Sequence, residues 1–598
     1  MPGARLTPTA EVARFPGAVS PARRHRPALS QRETWQPWVR RLGLAALAAI
    51  PAAFWAVFFV WPVATLVARG FTADGAWDWS GFGELLAKPR TWRLVGRTVG
   101  QAAAATAICA VAAVPIASLL YRRSFRGRGF LRALLTMPFA LPSVVVGLAF
   151  RALLGSGGGL GFLGIEEGFW AVLPALVFFN VGLMARVVGT FWSSLDQRSE
   201  QAARCLGAGP WRALATVTLP ALIPALAAGS SLVFLFCATA FAPVLILGGS
   251  SYTTVETEIY LQTAQLLDLR SAAVLSVVQM AVVAIALWFG AAARRKRERA
   301  LKRSGGDRSG QLPLPRPGPT DWPSALVTAL AALLISLPLA NLVYRSLRTG
   351  TGLGLGNYLA LGDPNRAGLP YSLAQAAGRS VLIALLAGTL ALALGLAVAV
   401  VLSRRPRAPA AKRAQGLFDS LLMAPLGVSA VTVGFGFLIT LNRPPLNLRT
   451  SFWLIPLAQA LVALPLVVRT VLPVLRSIDP RLRQAAAVLG AAPWRVFASV
   501  DLMMVRRAVA VAAAYAFAVS VGEFGATAFL ARPDTTTLPV AIYKLLGRPG
   551  VDNLGLALAG AVTLATITVI AMALAESGGR TCQADRQLGQ RSERRSAK

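Results

Sequence analysis

Glu523, in the stretch SVGEFGA between Gly522 and Gly525, is the carboxylate that the sequence sets well inside an apolar block. A charge held in hydrocarbon is costly and is kept chiefly for function, so this acid and its two glycines are candidates for a translocation path. The other reading is a carboxylate near the outer end of a helix, hydrated or hydrogen-bonded to its neighbours. The remaining reactive residue types exclude more than they offer. His25 is the only histidine and lies in a polar leader, which rules out zinc-protease histidine pairs. Cys109, Cys205, Cys237 and Cys582 show no paired spacing, so neither a disulfide framework nor a Cys/His metal site is expected. A phosphate-cradling loop needs Gly-Lys followed by Ser or Thr, and none of the lysines (Lys88, Lys296, Lys302, Lys412, Lys544, Lys598) follows a glycine. The chain has no catalytic residues by this reading and no such route to ATP hydrolysis. Gly155-Ser156-Gly157 reads as a turn on the outer face.

The elements that must position Glu523 are membrane spans. Of 598 residues, 55% are hydrophobic and 14% charged, with a mean hydropathy of +0.58, which is too apolar for a set of soluble domains. About 20 apolar residues cross a bilayer as a helix, because hydrocarbon offers no water to an open backbone. On that basis the sequence predicts an all-α membrane protein of about twelve spans. They fall near 42–68, 94–120, 131–154, 168–192, 225–248 and 272–293, then near 324–347, 379–402, 417–441, 452–475, 508–531 and 554–576. Pro138, Pro142 and Pro425 interrupt the third and ninth blocks. The net charge of +35 sits between the blocks. With the basic leader inside, roughly forty Lys and Arg fall on that side and about a dozen outside, the positive-inside bias. Topology and attraction to anionic membrane lipid explain the charge; with no basic-aromatic surface, nucleic acid is not an expected partner. Both termini are then cytoplasmic.

The chain also repeats itself. EQAARCLGAGPWRALATVTLP at 200–220 returns as RQAAAVLGAAPWRVFASVDLM at 483–503. An offset of 282–283 also pairs Gly96-Arg97-Thr98 with Gly378-Arg379-Ser380, Arg122-Arg123 with Arg404-Arg405, and Ile259-Tyr260 with Ile542-Tyr543. Six spans per unit make the duplication parallel, about an axis along the membrane normal. The predicted layout is a cytoplasmic leader at 1–41, a first membrane domain at 42–293, a flexible cytoplasmic linker at 294–323, a second membrane domain at 324–576 and a cytoplasmic tail at 577–598. Asp196 and Asp479 are candidate helix starts, Gly207 and Gly490 supply turns, and Pro210-Trp211 and Pro493-Trp494 open second short helices. Small Ala side chains and exposed Trp rings in such a loop suit docking into a partner's groove.

The spacing Gln201-Ala202-Ala203, three residues, Gly207, nine residues, Val217-x-Leu219-Pro220 resembles the EAA loop of binding-protein-dependent ABC importer permeases. The second copy keeps Gln484-Ala485-Ala486, Gly490, Val500 and Leu502, with Met503 in place of Pro. Both copies carry Gln where that motif has Glu. Stretches such as ILGGSSYTTVETEIYLQTAQLLDLRSAAVLSVVQM and AVSVGEFGATAFLARPDTTTLPVAIYKLLG are similar to the fused thiamine permease and ferric-iron permease group. The resemblance implies a permease subunit in a bacterial inner membrane, with no bound cofactor. It also implies two ABC ATPase subunits on the two loops, carrying ATP and Mg, and a solute-binding protein outside. Thiamine is the expected cargo, with ferric iron as the alternative. A secondary carrier driven by ions is the competing class; the lack of an acid in CATAFAP, the first-half counterpart of the Glu523 stretch, and of inverted repeats weighs against it.

Overall fold

The computed structural model describes residues 32–73, 76–196, 198–303, 314–349, 352–404, 408–548 and 550–596. Most of the leader expected at 1–41 and the middle of the linker expected at 294–323 lie outside the described residues. Met1–Leu47 is one unit, whose described part begins a helix at Arg32; Ala48–Lys598 is the other, and all the packing below lies within it.

The principal helices come in two matching series. The first is α1 (Ala45–Gly70), α2 (Pro89–Arg122), α3 (Arg128–Thr136), α4 (Ser143–Leu154), α5 (Phe169–Trp192), α6 (Arg198–Cys205), α7 (Pro210–Ala238), α8 (Ala242–Leu247), α9 (Val255–Ala264) and α10 (Leu269–Arg303). The second is α11 (Pro319–Ser346), α12 (Leu373–Ser403), α13 (Pro409–Leu422), α14 (Ala430–Thr440), α15 (Leu454–Ser477), α16 (Pro480–Val488), α17 (Trp494–Val521), α18 (Thr527–Leu530), α19 (Leu538–Leu546) and α20 (Val551–Ser596). Antiparallel pairs of two-residue strands follow α1 and α11, Thr72–Ala73 with Ala76–Trp77 and Arg348–Thr349 with Gly352–Leu353. A third, at 442–447, is peculiar to the second half.

Among the described residues ten helices are long and apolar enough to cross a membrane, eleven if a bent pair counts as one. The expected third and ninth spans account for the difference from twelve. α3 and α4 meet at 106° across the 3-10 turn Met137–Ala140, where Pro138 and Pro142 remove backbone donors and cannot continue a helix. α13 likewise breaks at Ala424–Gly427, around Pro425, and α14 runs only 11 residues.

Small residues set the packing within each half. Ala102, Ala105, Cys109 and Ala113 form one fully buried face of α2, which lies along α5; α12 and α15 repeat the pairing. Such faces let helix backbones approach closely where the hydrophobic effect gives no drive between helices. The first helix of each series crosses to the other half. Phe59 and Phe58 of α1 pack on Phe437 of α14, and α11 lies on α2 and α4, with Arg345 donating to the Ala152 carbonyl at 2.7 Å. Part of the linker expected to be flexible is ordered. α10 continues to Arg303, Ser124 binds the carbonyls of Leu314 and Pro315, and Arg123 pairs with Asp321 at 2.9 Å.

Candidate functional site

The two repeated loops take the same conformation. Asp196 accepts from the Arg198 N–H and Asp479 from the Arg481 N–H, each at 2.9 Å, starting α6 and α16. Each helix then closes through a left-handed glycine, Gly207 at φ 85° and Gly490 at φ 81°. The Gly207 N–H reaches the Arg204 carbonyl and the Ala208 N–H that of Ala203; Gly490 and Ala491 reach Ala487 and Ala486. This crossed pair satisfies carbonyls that a helix end leaves open, and the φ it needs is one that only glycine adopts freely. Pro210 and Pro493 open the next helical turn, as expected, and each leads into a π-helical segment, Leu214–Thr218 and Phe497–Leu502.

These loops are bare. No residue of α6 or α16 is buried. Gln201, Ala202, Gln484 and Ala485 are exposed, Ala203 and Ala486 half-buried, and Pro220 is exposed on α7. Leu206 is 89% exposed and Leu489 87%, with Trp211 and Trp494 exposed beside them. Large apolar side chains thus stand exposed at equivalent positions of the two loops.

Each loop is tied to the end of the helix that precedes the bent pair, by different acids. In the first half Arg122 meets Glu200 at 2.9 Å, and Arg204 joins at 3.2 Å. In the second half Arg483 stands where Glu200 stood. The acid there is Asp501, equivalent to Thr218, with Arg483 at 2.6 Å and Arg404, the counterpart of Arg122, at 3.6 Å. The sign of the charge on the loop has reversed while the tie persists. Sequence comparison of the halves could not show this, because Asp501 has no acidic partner in the repeat.

Glu523 lies at the other end of α17 and is 7% exposed. Its oxygens accept from the Ala526 and Thr527 N–H groups at 2.8 and 3.1 Å and from the Thr527 hydroxyl at 2.6 Å, capping α18. The carboxylate is thus buried and hydrogen-bonded within its own segment. Gly522 faces Pro142 of the first half, and Gly525 faces Ala430. The structure adds Glu256, fully buried on α9, which sequence reasoning missed. Ser429 of the second half donates to one of its oxygens at 2.9 Å and Gln279 to the other at 3.0 Å. An acid pair in the apolar setting of VETEIY was the available signal.

Where the two halves meet, four rings close together. Phe241 stacks on Phe524 with centroids 5.4 Å apart, and Tyr260 meets Tyr543 at 6.5 Å. Phe241–Tyr260 and Phe524–Tyr543 are each 5.4 Å. Phe241 and Phe524 stand at the breaks after α7 and α17.

The sequence model for the binding-protein-dependent transport system inner membrane component matches residues 111–298, from within α2 to α10. The thiamine transport system permease protein of Brucella abortus (strain 2308) is 27% identical over 499 residues, covering 80% of this chain and 87% of that protein. Its counterpart in Salmonella typhimurium (strain LT2) is 28% identical over 466 residues, or 76% and 84% of the two chains. The molybdenum transport system permease protein of Escherichia coli (strain K12) is 34% identical over 169 residues, 26% of this chain and 71% of that one.

Proposed function

Since the chain belongs to the binding-protein-dependent inner membrane components, the multi-pass permease subunits of bacterial ABC importers, we propose that it carries thiamine inward on energy delivered at its two Ala/Gly loops. Similarity to thiamine permeases over most of the chain supports the cargo. One observation carries the mechanism. The two loops share one conformation, lie at equivalent ends of the repeat, and expose Leu206 with Trp211 and Leu489 with Trp494. Two copies of an ATPase, holding ATP and Mg, take these loops, and a solute-binding protein delivers cargo at the opposite face. The positive-inside bias of the basic loops supports a cytoplasmic docking end and cytoplasmic termini. Closure of the ATPase pair draws α6 and α16 together. Because Arg122–Glu200 and Arg483–Asp501–Arg404 fasten each loop to a long helix, the halves tilt as bodies and access changes side; rigid elements with two arrangements carry the coupling. Gln201 and Gln484 offer hydrogen bonds to the ATPase where the related motif offers a charge.

The test is uptake of labelled thiamine by proteoliposomes holding the permease, its ATPase and its binding protein. Uptake that needs ATP and the binding protein is expected. Uptake without nucleotide overturns the ABC reading, and uptake of ferric iron with no thiamine overturns the cargo.

A further inference from the structure

The four rings on the axis carry an inference that rests on the importer reading above. Phe241 and Phe524 are equivalent positions in the repeat, as are Tyr260 and Tyr543. Equivalent positions of a twofold pair touch only across the axis that relates the halves. The stacked pair is 5.4 Å apart with planes at 18°, and the equal 5.4 Å spacings of the two Phe–Tyr contacts within halves are what that symmetry demands. The axis is therefore shut by ring faces, at the level where α7 and α17 break.

The surroundings of the rings are rich in acceptors. Glu256 lies one helical turn before Tyr260 and is bonded across the halves to Ser429. Glu523 adjoins Phe524. The side-chain oxygens of Gln279 and Gln459, residues 1% and 2% exposed, have no hydrogen-bond partner. Gln279 donates to Glu256 and to the Ala238 carbonyl at the α7 break. Gln459 donates to the Thr527 hydroxyl that holds Glu523. Buried acceptors without donors are costly, and a positively charged or N–H-bearing visitor satisfies them.

We propose that Phe241, Tyr260, Phe524 and Tyr543 form the selective constriction of the path and that, parted, their faces bind the cargo as an organic cation, with Glu256 as counter-charge. Aromatic faces attract a delocalised or quaternary nitrogen cation through the ring quadrupole, most strongly when water is excluded. A hard trivalent metal ion calls instead for a full shell of oxygen ligands; Phe241 and Phe524 supply none, and the Glu256 and Glu523 carboxylates are already bonded to Ser429, Gln279 and Thr527. The site thus favours the thiazolium type of charge over ferric iron.

The experiment uses the same proteoliposomes, with labelled thiamine uptake and ATP hydrolysis read together. F241L/F524L keeps apolar volume and removes ring faces; Y260F/Y543F keeps the faces and removes hydroxyls. Loss of two faces lowers uptake at limiting thiamine about tenfold, with ATP hydrolysis within about twofold of wild type, and Y260F/Y543F, which keeps all four faces, loses less uptake than F241L/F524L. Unchanged uptake in F241L/F524L overturns the site, as does a parallel fall in hydrolysis, which would make the rings packing alone. A wild type that takes up no thiamine overturns both the cargo reading and this one; a wild type that does so alongside an equally active F241L/F524L overturns only this one.

Discussion

Removing Arg483 isolates the acid that fastens the second docking loop. The Asp501 side chain is 1% exposed, with Arg483 Nε at 2.6 Å and Arg404 at 3.6 Å. Breaking one partner of a buried pair costs about 3–5 kcal/mol, because the other charge stays buried. Arg404 remains and recovers part of this, so Arg483→Ala should weaken the local structure by about 2–3 kcal/mol. Hydrogen exchange of the reconstituted protein reads such local opening. Protection over residues 480–502 should fall about 30- to 150-fold, while α2 and α5 keep theirs. The first-half tie is more open, with side chains 17% and 22% exposed. Glu200→Gln should therefore cost only about 0.5–1 kcal/mol there. R483L/D501L, which removes both charges, should restore much of the protection. Unchanged exchange in R483A, or a double variant as labile as the single, would refute the idea that this pair fastens the loop.

Other outcomes follow from the same geometry. Valine at Gly207 and Gly490 together must adopt a positive φ that β-branched residues resist, so G207V/G490V should abolish ATPase co-purification and uptake while membrane insertion persists; undiminished uptake would count against the docking role. Leu206→Asp with Leu489→Asp leaves the fold intact, since both side chains are exposed, and should release the ATPase on pull-down. Glu523→Ala removes the cap of α18 and should cost about 1 kcal/mol, measured as a lower melting temperature in detergent, with Glu523→Gln milder. Ser80, through side chain and backbone, and then Arg270 hold Asp78 down at about 2 against an ordinary 3.8. The stabilisation is whole above the ordinary value and lost as pH falls through about 2, so Asp78→Asn should lower the melting temperature at pH 6 and lower it much less at pH 2.

Hydropathy and spacing made the helical class, the duplication and the loop turns legible. Asp196 and Asp479, Gly207 and Gly490, Pro210 and Pro493 occupy the positions that their backbone preferences dictate, and local chemistry alone suffices for them. The broken third and ninth blocks were half-visible in Pro138, Pro142 and Pro425: apolar content marked a span, and the missing donors decided its shape. What pairs across the halves was not legible. Ile259-Tyr260 and Ile542-Tyr543 align by offset, yet nothing local says that Tyr260 and Tyr543 meet. Asp501 and Glu256 escaped for a related reason, since each finds its partner through tertiary packing, in Arg483, Arg404 and Ser429.

The exchanged first helices bear on how the protein is made. α1 covers α14, and α11 covers α2 and α4, so the half that leaves the ribosome first has its own opening helix still waiting for a surface that has yet to be synthesised. Until then the faces of α2 and α4 that α11 covers stand open in the bilayer. Keeping both halves on one polypeptide shortens that wait and secures the right mate, whereas halves expressed separately must find each other before either is fully clothed.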